Sequence, residues 1–248
     1  MSDKATQSCL GREPFLANQV QGKRVILHAC CAPDATVPLL LWQHLADELV
    51  VYFYNPNIHP DEEYLRRLAD MRLVAAERKV HLIEGKYLRD DDSAARGDLF
   101  HNEAEVIHAS SFLTSSLAPL EELPPEVHTG LEGGDAAQVM HKLSPLGNEP
   151  EGGARCELCY QLRLVRTAAM ARRLGFDAFA TTLTISPHKS ADTVNAIGER
   201  AATRLGVDYI WTNFKKREGF KKSIEESRRL HLYRQHYCGC LWSQREQT

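Results

Sequence analysis

No stretch of this 248-residue chain is long and apolar enough to span a bilayer. The first 22 residues hold no continuous apolar run of the kind a secretory signal needs, so a cytoplasmic protein is expected. An excess of charge of one sign is missing as well. With a formal net charge of -3, any nucleic-acid partner has to be met by a local basic patch. No internal repeat is visible. His101, His108, His128 and His141 match no metal-ligand spacing and read as solvated histidines.

What is present is ordinary in bulk and unusual in its cysteines. Hydrophobic content is 43% and charged content 25%, enough for a sizeable core. Seven cysteines in a cytosolic chain are ligands or redox groups before they are structural disulfides. Cys9 lies in a polar, aperiodic leader (residues 1–22) and receives no role. The other six form three pairs: Cys30-Cys31, Cys156/Cys159 and Cys238/Cys240.

The elements that carry these pairs alternate. Arg24 to Ala29 reads as a strand, Thr36 to Glu48 as a helix and Val50 to Tyr54 as a central strand. A turn-rich Asn55-Pro56-Asn57-Ile58-His59-Pro60 follows, then a helix from Asp61 to about Arg78 and a strand at Val80 to Ile83. From about 88 to 145 periodicity fades, which marks an insertion. Strong signal returns with a helix from the Cys156 region to Leu174. Phe176 to Ala180 is then a strand, Ala191 to Leu205 a helix, Val207 to Trp211 a strand and Ile224 to Leu230 a short helix. Such alternation predicts one α/β domain over 23–248. Its parallel sheet has about five strands with helices on both faces, and the strand-end loops gather on one side.

Thiols at the carboxyl end of a strand sit where such sheets bind ligands. Neighbouring strand residues point oppositely, so Cys30 and Cys31 share a site only if the backbone is already turning. Together with Cys156 and Cys159 they make a normal ligand set for iron or zinc; a thioredoxin-like dithiol is the alternative for Cys156/Cys159. A helix start is expected to lower the thiol pKa of Cys156 and Cys159. Cys238-Gly239-Cys240 suits a strained, reducible disulfide or a second metal, with a carboxylate such as Asp34 completing the shell. Thr181 to Lys189 places hydroxyls, the His188 imidazole and the Lys189 ammonium after a strand, groups that suit an anionic or polyhydroxylated substrate. Lys215, Lys216, Arg217, Lys221, Lys222, Arg228, Arg229 and Arg234, interleaved with Phe214, Phe220 and Tyr233, suit phosphate binding.

These residues stand in ordered motifs. His28-Ala29-Cys30-Cys31-Ala32-Pro33-Asp34, Tyr52 to Ile58, Glu149 to Cys156 with Cys159, Thr181 to Lys189, Asn213 to Lys216, and Leu232 to Cys240 together resemble QueH-type epoxyqueuosine reductases. The likeness covers about residues 24 to 87 and 146 to 243. The leader and most of the insertion depart from the family's shorter form.

The resemblance implies a fold akin to the HUP and PP-loop group and the last step of queuosine biosynthesis. In that step epoxyqueuosine in tRNA is reduced to queuosine and the epoxide oxygen leaves as water. It also implies a [4Fe-4S] cluster on Cys30, Cys31, Cys156 and Cys159, with Cys238 and Cys240 redox-active or holding an additional iron. Two electrons and two protons are needed, so an electron donor is a required partner. Asp34 or His188 is the expected proton-handling or metal-supporting group. Lys189, Lys215, Lys216 and Arg234 are the expected tRNA contacts.

Two rivals remain. An ATP-dependent PP-loop enzyme needs a glycine-rich phosphate loop after the first strand. Cys30 to Asp34 has no glycine there, and Pro33 removes an amide donor. A non-catalytic zinc-bound RNA-binding module would be colourless, whereas an iron–sulfur protein absorbs in the visible.

Overall fold

The computed structural model describes residues 19–85, 87, 136–216 and 218–245. Cys9, most of the leader, and His101, His108 and His128 of the insertion lie outside the described residues. In chain order the elements are β1 (Arg24–His28), α1 (Ala32–Trp42), β2 (Glu48–Phe53), α2 (Asp61–Arg78), β3 (His81–Glu84) and α3 (Ala136–Leu143). They continue with α4 (Ala154–Arg173), β4 (Ala178–Thr181), α5 (Ala191–Leu205), β5 (Asp208–Tyr209), α6 (Gly219–Arg229) and α7 (Leu241–Arg245). A 3-10 turn over Thr182–Ile185 leads out of β4.

All five strands pair in parallel, in the order β3-β2-β1-β4-β5. Alternating side chains divide the core between the two faces of the sheet. Ile26, Tyr52 and Phe179 pack under α4 and α5 with Leu164, Val194 and Ile197. Val25, Leu27, Val51 and Phe53 pack under α1 and α2 with Leu39, Trp42, Leu68 and Met71. Fully burying apolar side chains such as these contributes roughly 1.5–3 kcal/mol each. The expected sheet with helices on both faces is therefore what forms.

The first helix differs from its expected span of Thr36 to Glu48. It starts four residues earlier, at Ala32, with Cys31 as N-cap. Pro33 does not hold the helix off: in the first turn its missing N–H would have had no partner anyway. At the other end the helix closes at Trp42, and Glu48 already pairs with Arg24 in β2. Within the expected insertion, α3 packs Val139 and Leu143 against Cys159 and Leu162 of α4. His141 on α3 is exposed.

Strand order reverses between β1 and β4, where the chain leaves neighbouring strands toward opposite faces of the sheet. The crevice at that switch point is where an open α/β sheet receives ligands.

Candidate thiol and metal site

The switch point is built around the end of β1. His28 faces Thr181 of β4 in register, and its ring bridges Thr181 Oγ1 at 2.9 Å and the Tyr54 carbonyl at 3.2 Å. Burial, helped by the Arg163 charge, pushes the His28 pKa down to about 3, so the ring is a neutral strut between β4 and the end of β2. Ala29 N–H still donates to Tyr52 O, and the Asn55 side-chain amide donates to Ala29 O at 2.8 Å. With those groups satisfied the backbone turns, and the two following thiols come together: Cys30 Sγ is 3.9 Å from Cys31 Sγ.

Cys30 Sγ also lies 3.3 Å from Asp34 Oδ2 and 3.9 Å from Thr182 Oγ1. The donor atoms of Cys30, Cys31 and Asp34 all fall within 4.8 Å of one another, close enough to share one metal ion. The contact with Cys31 pulls the Cys30 thiol down; burial, reinforced by that same contact, pushes Cys31 up.

α4 brings the second pair. Gly153 is its N-cap, and Gly152 N–H donates to Cys156 Sγ at 3.2 Å. Arg155, buried, fixes the preceding turn through the Gly147 carbonyl at 2.9 Å and the Glu149 carbonyl. The expectation of low thiol pKa values at this helix start is corrected: burial pushes both Cys156 and Cys159 up. Desolvation of the thiolate outweighs the helix end and, at Cys156, the Gly152 hydrogen bond.

The third pair arrives from the C-terminal segment, and α2 holds it. Arg67 donates from Nη2 to Tyr237 O at 3.0 Å and from Nη1 to Cys238 O at 3.1 Å, while Glu63 binds its guanidinium at 2.6 Å. Gly239 has φ +99 and accepts from His59 N–H at 2.8 Å. Cys238 and Cys240 are free thiols rather than a disulfide. A hydrogen bond from Cys240 pulls Cys238 well down, with help from Lys189 and Ser243; the same contact and burial push Cys240 up.

Cys30, Cys156, Cys159, Cys238 and Cys240 line a single cavity, with Arg163, Lys189, Asn57 and Gln235 in its wall. Cys31 adjoins it through Gln235, whose Nε2 donates to Cys31 Sγ at 2.9 Å. Lys189 is half-buried. Burial alone would lower its pKa, but Cys30, Asp34 and Cys238 together raise it, so the ammonium is firmly charged.

The other sequence-expected residues sit outside this lining. His188 and Lys216 are exposed. Lys215 Nζ donates to Lys189 O at 2.7 Å, bracing the loop that presents Lys189. Arg234 donates to Ser227 Oγ at 3.1 Å and lies over the Phe220 ring.

Arg163, Arg67, Asn57 and Gln235 were not singled out from sequence. Arg163 had a signal: Cys156, Cys159, Tyr160 and Arg163 follow i, i+3, i+4, i+7 on α4, one helix face. Arg67 had a fainter one, a charge at a position flanked by the buried Tyr64, Leu68 and Met71.

Three thiol pairs converge on the switch point of a parallel α/β sheet, beside buried arginines, and form a site of the class that could bind a metal. Likeness to known proteins narrows the class. The family described as Epoxyqueuosine reductase QueH matches residues 25–106 and 122–246, and the chain belongs to it. A protein of Streptococcus pyogenes serotype M1 named epoxyqueuosine reductase QueH is 32% identical over 223 residues, 90% of this chain and 71% of its own. One of the same name from Staphylococcus epidermidis is 31% identical, covering 90% of this chain and 77% of its own. Another from Thermotoga maritima is 29% identical, covering 88% and 89%.

Proposed function

We propose that this protein reduces epoxyqueuosine in tRNA to queuosine, the last step of queuosine biosynthesis. The observation that carries the reading is the convergence of the thiol pairs on one cavity, in a chain whose relatives bear that activity in their names. The reaction takes the epoxide, two electrons and two protons to an alkene and water. The electrons come from an external one-electron reductant.

The donor set fits a [4Fe-4S] cluster on Cys30, Cys31, Cys156 and Cys159: buried or half-buried thiols, with N–H donors from Gly152 and Gln235 directed at two of the sulfurs. The Cys30, Cys31 and Asp34 group, or Cys238 with Cys240, suits a second iron. When bound, such centres supply electrons singly and a Lewis acid for the departing oxygen. The chain's own groups do the rest. Lys189, in the cavity wall, supplies positive charge for the negative charge that develops on that oxygen. Asp34 or His188 handles protons or supports the metal; the contact of Asp34 with Cys30 at 3.3 Å favours Asp34. Lys215, Lys216 and Arg234 belong to the surface offered to tRNA phosphates, where Lys216 is the most available.

The test is expression in a bacterium that lacks its own epoxyqueuosine reductase and accumulates the epoxide. The wild-type chain restores queuosine, and Cys30→Ser gives folded protein depleted of iron that does not. Persistent epoxyqueuosine with well-expressed, iron-loaded wild-type protein would reject the reading.

A further inference from the structure

Arg163 is buried to 4% exposure, yet its charge has no carboxylate partner among the described residues. Nη1 donates to the neutral Asn55 Oδ1 at 3.2 Å, and the buried Nε has no hydrogen-bond partner among the described residues. Arg67, another buried arginine in the wall of the same cavity, shows the usual solution, with Glu63 at 2.6 Å. An uncompensated buried guanidinium costs several kcal/mol, so a fold that keeps one must supply negative charge nearby. Arg163 shares the cavity wall with Cys30, Cys156, Cys159 and Cys238, and its guanidinium lies 5.9 Å from the centroid of the Tyr160 ring. Asn55 also connects it to the first thiol pair, because the same side chain donates to Ala29 O just ahead of Cys30.

We propose that Arg163 is the permanent counter-charge of the sulfur site. Its guanidinium balances the negative charge of a metal centre bound by the cavity thiols, and it raises the reduction potential of that centre. It acts on the electron-accepting group through charge and needs no contact with substrate, so it is a positioning and tuning residue. Net charge and hydrogen bonding around a cluster are the levers that set its potential. The proposal rests on the metal reading above.

The experiment compares wild type, Arg163→Lys and Arg163→Met by iron content and by potentiometric titration of the iron-loaded proteins, followed in the visible absorption. Removing the charge in Arg163→Met is expected to lower the reduced-to-oxidised ratio at a fixed poise at least tenfold, 59 mV for a one-electron couple. Arg163→Lys is expected to stay within about threefold. A Met variant that loads iron at the wild-type potential overturns the proposal and leaves the metal reading standing. So does failure of both variants to load, since that assigns Arg163 to shape alone. Failure of Met to load while Lys loads normally supports the proposal. A wild type that holds no iron overturns the metal reading and the proposal together.

Discussion

Gln235 Nε2 donates to Cys31 Sγ at 2.9 Å across a separation of 204 residues, so the C-terminal segment reaches directly into the strand-end turn. An N–H to a sulfur anion stabilises it, and hydrogen bonds to charged groups contribute about 1.5–3 kcal/mol. Gln235→Leu is therefore expected to leave the far-ultraviolet dichroism unchanged while iron dissociates more readily to a chelator. Wild-type chelation kinetics in the variant would remove Gln235 from the site.

Arg67 and Glu63 are a buried ion pair, 2% and 10% exposed, which also holds the Cys238 loop through the Tyr237 and Cys238 carbonyls. Breaking one partner leaves a buried charge uncompensated and costs about 3–5 kcal/mol. Arg67→Met should lower the urea midpoint accordingly, and Arg67→Met with Glu63→Gln should recover part of the loss. Equal destabilisation in the single and double variants would show that the carbonyl contacts, not the charge pair, dominate.

Gly239 stands at φ +99, and a Cβ there would lie 2.7 Å from Ile58 Cγ1 and 3.0 Å from Arg67 Nη1. Backbone strain and that collision give Gly239→Ala an expected cost of about 1–3 kcal/mol. Urea titration checks it, and a change under half a kcal/mol would mean that the loop relaxes freely.

Buried and half-buried tyrosines, Tyr64 and Tyr209 among them, make the fold sensitive to alkali. Burial raises the pKa of Tyr64, with Glu84 and Tyr87 adding to it, and burial alone raises that of Tyr209, whose hydroxyl donates to Asn195 Oδ1 at 3.0 Å. A raised native pKa gives stability that is complete below the unfolded value of about 10 and is lost as pH climbs past it, because only the unfolded chain ionises there. Denaturant midpoints are expected to fall between about pH 9 and 11, and less steeply in Tyr209→Phe. A variant with the wild-type slope would show that Tyr209 ionises in the native state.

Much of this arrangement is legible in sequence because it is local. The strand at Arg24–His28, the helix over Asp61–Arg78 and the helix over Ala191–Leu205 follow from side-chain period alone. The turning backbone at Cys30-Cys31 follows from alternation on a strand, and the 3.9 Å between the sulfurs is its outcome. What escapes local reading depends on distant partners. Nothing near Arg67 announces that it binds carbonyls 170 and 171 residues away. The upward shift of the Cys159 thiol depends on how deeply α3 and Trp242 cover it, and that of Cys156 on its own partial burial; a helix-start rule contains neither. Arg163 was within reach of the helix face it shares with Cys156 and Cys159, but its missing carboxylate shows only in three dimensions.

Nucleoside analysis of tRNA decides whether this protein reduces epoxyqueuosine. Anaerobically purified, iron-loaded protein is incubated with epoxyqueuosine-containing tRNA and a low-potential reductant, and the tRNA is digested and quantified by mass spectrometry. Epoxyqueuosine should disappear and queuosine appear one for one, with neither change when the protein has first been stripped by a chelator. Unaltered epoxyqueuosine with fully loaded protein and active reductant would contradict the account.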